Sequence, residues 1–248
     1  MSFPLLAEAF EALGLSPGPD ARAFLDRMAP VAEGERACFV ELSFAPAPAF
    51  TWSLLLRGEG PAFLDAAFAH IAERHGPDAL ARARRFHEAR GRWPLAYVRA
   101  DFGGSAESTL YLRGQPPEPN AEGVQVSALE LDGARSALKR YRVIPTEALA
   151  DAVSAEGFAP PPLLDVLTRH TRSPIAMLGW RVGQRSLAVD LFEVETDPLI
   201  DALGPLNSGP LPRVRDLLDG GPLWVAGLRL SAGAAPRTRC YVLCRYKH

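Results

Sequence analysis

Several short stretches of this sequence place a basic residue and a tyrosine two positions apart. They are Tyr97-Val98-Arg99, Tyr111-Leu112-Arg113, Lys139-Arg140-Tyr141 and Arg239-Cys240-Tyr241, and Arg57 ends a further alternating run. In an extended chain, residues two apart share one face. Arg and Lys offer charge-assisted hydrogen bonds to phosphate or carboxylate oxygens. Tyrosine faces attract cations. Glu41, within Val40-Glu41-Leu42, adds a carboxylate suited to taking up a proton. Together these residue types can hold an anion, shield a cation and remove a proton. The plain alternative is cross-strand Arg–Tyr pairing on a solvated sheet, with Arg99 and Asp101 as a simple ion pair.

The elements that must position these residues can be read from alternation around turn signals. Five hairpins are predicted. They pair Ala37–Phe44 with Thr51–Arg57, Leu95–Phe102 with Thr109–Arg113, Val124–Leu131 with Ser136–Val143, Ile175–Val182 with Arg185–Val194, and Leu223–Ser231 with Arg237–Tyr246. Their turns fall at Ala-Pro-Ala-Pro, Gly103-Gly104-Ser105, Asp132-Gly133, Gly183-Gln184 and Ala232-Gly233. Helix pairs precede four of them: Leu5–Leu15 with Asp20–Met28, Ala62–His75 with Ala79–Arg90, Thr146–Ser154 with Pro162–His170, and Asp197–Leu203 with Leu211–Leu218. Gly18-Pro19, Gly60-Pro61 and Gly76-Pro77 mark helix starts, where the missing proline N–H costs nothing. Only the third hairpin lacks a helix pair; Pro-rich Gln115–Gly123 leads into it instead.

Ten antiparallel strands left open would expose two edges, which closure into a barrel removes. A barrel of that size leaves a ligand-sized lumen. Helices packed outside would require apolar side chains facing outward and polar ones inward. The strands divide that way. Val40, Leu42, Leu54, Leu56, Val98, Leu110, Leu228 and Val242 fall on one face. Glu41, Ser53, Arg57, Tyr97, Arg99, Tyr111, Arg239 and Tyr241 fall on the other. The reading is therefore an α+β fold: one domain over residues 1–248, with a ten-stranded antiparallel β-barrel surrounded by helix pairs. An open sheet with one wet face is the alternative.

Apolar residues make up 48% of the 248 and charged residues 23%, as in ordinary globular chains. The net charge of −2 lacks the basic excess of nucleic-acid binders. No basic start followed by an apolar run marks a leader, and no stretch approaches the ~20 apolar residues of a membrane span. Three cysteines (Cys38, Cys240 and Cys244) argue against a disulfide framework and for a cytoplasmic setting. There is no Asp-Asp-x-x-Asp run, Gly-rich phosphate loop or Cys-x-x-Cys pair. The histidines lie on helices or at the terminus, and His70 and His75, five apart, lack helical ligand spacing. No metal site is expected.

The sequence resembles the aromatic prenyltransferases of the ααββ (PT-barrel) type, nearest their indole, dimethylallyltryptophan synthase-like branch. Val40-Glu41-Leu42-Ser43-Phe44 is similar to the strand that carries that family's glutamate. Leu138-Lys139-Arg140-Tyr141-Arg142-Val143-Ile144-Pro145 is similar to its Lys-x-Tyr strand, and Arg237-Thr238-Arg239-Cys240-Tyr241 to another basic-x-Tyr strand. The resemblance implies transfer of a prenyl group from an allylic diphosphate, such as dimethylallyl diphosphate, to an indole, phenol or aromatic peptide residue. Arg57, Arg99, Lys139 and Arg239 would bind the diphosphate, as unpaired lumen cations. Tyr97, Tyr111, Tyr141 and Tyr241 would shield the allyl cation, and Glu41 would take the ring proton. Magnesium could accompany the diphosphate, but no protein ligand motif for it is present. The fourth hairpin departs from the pattern. Leu187 and Val189 stand where Lys and Tyr are expected, and Asp190 enters the lumen, where it would repel a diphosphate. A non-catalytic barrel that binds an amphipathic molecule, or a biosynthetic accessory protein, is the competing reading.

Overall fold

The computed structural model describes residues 4–34, 38–44, 50–103, 106–114, 123–204 and 211–246. The first hairpin's turn, most of Gln115–Gly123 and His248 lie outside these residues. The strands are β1 (Cys38–Phe44), β2 (Phe50–Arg57), β3 (Leu95–Asp101), β4 (Ser108–Arg113), β5 (Val126–Asp132), β6 (Arg135–Pro145), β7 (Ile175–Arg181), β8 (Ser186–Val194), β9 (Leu223–Ser231) and β10 (Ala234–Cys244). Each pairs antiparallel with its neighbours in sequence, and β1 pairs with β10, so the sheet closes into a ten-stranded barrel. The open-sheet alternative is excluded.

The helices are α1 (Leu6–Leu13), α2 (Pro19–Met28), α3 (Gly60–His75), α4 (Pro77–Glu88), α5 (Leu149–Ala155), α6 (Pro162–Arg169), α7 (Thr196–Leu203) and α8 (Leu211–Leu218). They fall in pairs before the first, second, fourth and fifth hairpins, as the punctuation predicts. Proline occupies the first turn of α2, α3, α4 and α6. Boundaries shift by up to three residues, most at the starts of α5 and β10. Thr146–Ala148 forms a 3₁₀ turn before α5, and β10 starts three residues early through an irregularity between Ala234 and Arg237.

The apolar sheet face points outward. Val40, Leu42, Leu54, Leu56, Val98, Leu178, Val189, Leu228 and Val242 are fully buried beneath the helices, which contribute Phe24, Phe63, Ile71 and Leu167. Removing each large side chain of this layer from water stabilises the fold by about 1.5–3 kcal/mol. Cys38, Cys240 and Cys244 belong to the same layer as buried free thiols. Burial raises Cys240 and Cys244 to about 12, so they pack as small apolar groups.

One polar cluster interrupts the layer. His70 and His75 of α3 both reach Ser108 of β4, with Nε2 to Oγ distances of 3.2 and 2.8 Å. His70 also meets the Phe24 ring edge-on at 4.8 Å. Burial first, and then Arg74 and His75, lower the His70 pKa to about 3.

Register brings lumen side chains together over small residues. Asp190 of β8 and Arg239 of β10 are both Cα partners of Gly227 on β9. Their side chains meet above it, with Arg239 Nη2 2.7 Å from Asp190 Oδ1. Tyr141 likewise lies over its partner Gly179, where a Cβ would collide with the ring.

Two expectations follow. His70 stays neutral when folded but gains a proton when unfolded, so acid removes stability as pH falls below ~6.5. Near pH 5 this loss is about 2 kcal/mol, and urea melts of the parent against His70→Gln measure it as the difference in pH slope. A Cβ on Gly227 would collide with the Asp190 carboxylate and lie 2.5 Å from the Val189 carbonyl oxygen. Gly227→Ala should therefore lower unfolding free energy by about 1–3 kcal/mol in the same assay.

Candidate active site

The lumen has two chemically distinct ends. The strand ends opposite the hairpin turns carry aromatic residues: Phe39 is second on β1, Tyr97 lies early on β3, and Tyr111, Phe192 and Tyr241 lie late on β4, β8 and β10. They surround a cavity of about 450 Å³, with Asp190, Arg239 and Tyr141 also on its wall. Tyr97 and Tyr111 meet edge-on at 6.3 Å, and Tyr111 and Tyr141 are 6.0 Å apart. The Arg239 guanidinium carbon is 5.9 Å from the Tyr241 ring centre. The structure thus brings all four predicted tyrosines to one cavity.

Midway along the barrel and toward the hairpin turns, charges take over. Arg99 contacts three carboxylates: Nε is 2.6 Å from Glu41 Oε2, Nη2 is 2.8 Å from Asp101 Oδ1, and Nη1 is 2.9 Å from Glu107 Oε1. Lys139 and Arg181 both pair closely with Glu130, and each lies 3.9 Å from Glu107. Arg239 pairs with Asp190. Arg229 lines the same region and has no ion pair among the described residues. The expectation of unpaired lumen cations is corrected here: Arg99, Lys139 and Arg239 each have a carboxylate. The reason is dielectric, since a desolvated charge without a partner is costly. Asp190 likewise enters as expected, but as the partner of Arg239.

Arg57 stands apart from this cluster. It lies at the helix-side rim, with Nε 2.9 Å from Glu33 Oε2 and two-fifths of its side chain exposed. Glu41, expected as a base, is fully enclosed and accepts a 3.2 Å hydrogen bond from Ser53 Oγ.

Burial alone would raise the Glu41 pKa, but Arg99, Arg239 and Lys139 outweigh it and hold the carboxyl below its usual range. Burial raises Asp190, with only partial relief from Arg239. Lys139 falls to about 8, chiefly through burial. Glu107 rises to about 7, through burial first and with a hydrogen bond to Glu130 adding to the shift. Burial carries Tyr141 to about 12, so its hydroxyl stays protonated.

Sequence reasoning left out Glu107, Glu130 and Arg181, and placed Arg229 on the polar face without counting it among the anion-binding cations. The last three were readable from strand parity, in Leu129-Glu130-Leu131, Gly179-Trp180-Arg181 and Leu228-Arg229-Leu230. Glu107 lies outside the strands, and no local pattern announces it. No group of three or more His, Cys, Asp or Glu residues that could hold a metal occurs among the described residues. No helix there is long and apolar enough to cross a membrane.

No family model and no curated protein matches this sequence. Solved structures do match it. The apo form of the prenyltransferase PriB is 16% identical, with a TM-score of 0.68 over 96% of this chain and 93% of that one. The 6-dimethylallyltryptophan synthase of Micromonospora olivasterospora is 16% identical, with a TM-score of 0.65 over 96% and 94%. AnaPT of Neosartorya fischeri is 11% identical, with a TM-score of 0.60 over 96% and 92%. A closed sheet of ten strands and outer helix pairs that follow these structures along nearly their full length make this chain a PT barrel, the fold those prenyltransferases share.

Proposed function

We propose that this protein transfers a prenyl group from an allylic diphosphate to an aromatic acceptor inside the barrel. One observation carries the reading: an aromatic cavity of about 450 Å³ abuts a belt of buried Arg and Lys side chains. Structures of PriB with product diphosphate, and with L-tryptophan and dimethylallyl thiolodiphosphate, support it by analogy of fold.

The chemistry divides along the lumen. The diphosphate leaves with the electron pair of the allylic C–O bond, and Lys139, Arg239, Arg99 and unpartnered Arg229 stabilise the growing negative charge. Arg57, held at the rim by Glu33, stays outside this set. Tyr97, Tyr111, Tyr141 and Tyr241 exclude water and face the allyl cation. An acceptor ring in the cavity captures the cation, and Glu41 takes the displaced proton. Its depressed basicity suits it to orient an acceptor N–H or O–H before accepting that proton from the far more acidic arenium ion.

A second reading, a barrel that binds an amphipathic molecule without reaction, is favoured by the carboxylates already on the cations. Incubation with dimethylallyl diphosphate and a panel of indoles, phenols and naphthols separates the two, with products read by mass spectrometry. Prenylated product supports the enzyme. Ligand binding without product supports the second reading.

Arg239→Ala should weaken diphosphate binding at least tenfold, the scale of one charge-assisted hydrogen bond at about 1.5–3 kcal/mol. It should also lower the melting temperature, because Asp190 loses its partner. Adding Asp190→Asn should restore the melting temperature but not the binding, as read by calorimetry. Lys139→Ala should weaken binding similarly. Glu41→Gln should keep the fold, since Arg99 retains Asp101 and Glu107. It should cut transfer ~10²-fold or more in single-turnover assays, the scale of a lost general base.

A further inference from the structure

Glu107 differs from the other carboxylates of the belt. It lies one residue before β4, and its backbone is fixed because its carbonyl accepts the Asp101 N–H at 2.9 Å. Its side chain turns into the lumen, only 16% exposed, and reaches cations on three strands. One contact is short, Oε1 to Arg99 Nη1 at 2.9 Å. The other two, to Lys139 Nζ and Arg181 Nη2, are 3.9 Å long and outside hydrogen-bond range. Lys139 and Arg181 keep Glu130 as their close partner. Glu107 is thus an anion placed among three cations but well bonded to one.

The space around these cations is already full. Between Lys139, Arg181, Arg229 and Arg239 the free volume is about 20 Å³, room for about one water molecule. A diphosphate cannot enter until a resident group withdraws. Glu41, Glu130 and Asp190 project from the interiors of their strands and hold short ion pairs. Asp101 ends β3 and touches Arg99. Glu107 alone touches Arg99, Lys139 and Arg181 together, and rotation of its side chain withdraws one carboxylate from all three without moving the barrel, while Glu41, Asp101 and Glu130 keep their own pairs.

We propose that Glu107 is an internal counter-anion, occupying the cation cluster in place of diphosphate and setting its affinity for that ligand. The inference rests on the prenyl-diphosphate reading above. The groups facing Glu107 are Arg99 and Asp101 of β3, Glu130 of β5, Lys139 of β6 and Arg181 of β7. Burial and Glu130 keep its pKa at about 7, so withdrawal is easier once the carboxyl carries a proton. At about pH 8 that proton must first be taken up, at a cost of about tenfold in affinity; at about pH 6 the cost nearly vanishes.

Inorganic pyrophosphate titrated calorimetrically into the parent, Glu107→Gln and Glu107→Ala at both pH values tests this, with circular dichroism checking the fold. Pyrophosphate changes its own charge over this range, so the variants serve as the reference for pH dependence. Both variants should bind about tenfold more tightly than the parent near pH 8, and the gap should close near pH 6. The parent should also take up more protons on binding than Glu107→Gln, as shown by heats in buffers of different ionisation enthalpy. Measurable binding by the parent that is equalled or exceeded in the variants' Kd at pH 8 overturns the inference and leaves the donor site standing. No binding by any of the three proteins overturns the donor site and the inference together.

Discussion

The first and last strands of this chain exchange a ladder from Cys38↔Cys244 to Phe44↔Thr238. With that ladder in place no strand is an edge, and the sheet acquires an inside. Side-chain alternation then assigns each residue to the helix layer or to the lumen with no intermediate choice. A slip of one residue would place Val40, Leu42 and Val242 in the lumen and drive Glu41 and Tyr241 into the apolar layer beneath the helices. The outer apolar layer therefore fixes the orientation of every polar side chain inside. Helix burial, whose role is stability, sets the geometry of the site.

Closure also creates the problem that the belt solves. Arg99, Lys139 and Arg239 are almost wholly withdrawn from water, and a buried charge without a partner is strongly unfavourable. Glu41, Asp101, Glu107, Glu130 and Asp190 supply the compensation. A cluster able to receive a multivalent anion must stay folded without it, and internal carboxylates meet that need. Under the proposed function they would also compete with the diphosphate for the same donors. Arg99, with three carboxylates, is the cation most committed to the fold; Arg229, with none, is the least.

Much of this was legible in the sequence. Gly-Pro punctuation marked the helix pairs, and two-residue alternation placed Lys139, Tyr141, Arg239 and Glu41 in the lumen before any coordinates. Pairings between distant strands were not legible. Asp190 was assigned to the lumen correctly, yet its bond to Arg239 depends on Gly227 lying between them, a relation set by the register of three strands. Glu130 and Arg181 obey parity as plainly as Lys139 does. Parity alone does not distinguish a lumen carboxylate and its partner from an ordinary ion pair on a solvated sheet. Glu107 has no strand periodicity to betray it, and only the closed barrel brings it to Lys139 and Arg181.

The distribution of small residues explains why the cavity sits where it does. Ala128 is the Cα partner of both Tyr111 and Lys139, Gly179 of Tyr141, and Gly227 of both Asp190 and Arg239. These lumen side chains thus each have one neighbour with little or no side chain, although Tyr111 also faces Tyr97 and Lys139 also faces Arg181. The tyrosines spread along the wall at the helix-side end and leave open volume before them, whereas opposite charges draw the hairpin-side groups together and close it. Among the described residues the open volume lies at the first end, and most of the buried cations lie toward the second. In the proposed reaction, bond breaking and ring attack would meet at the boundary between them. Tyr141 of β6 and Arg239 of β10 line both spaces, and Asp190 of β8 lines the aromatic cavity while it pairs with Arg239.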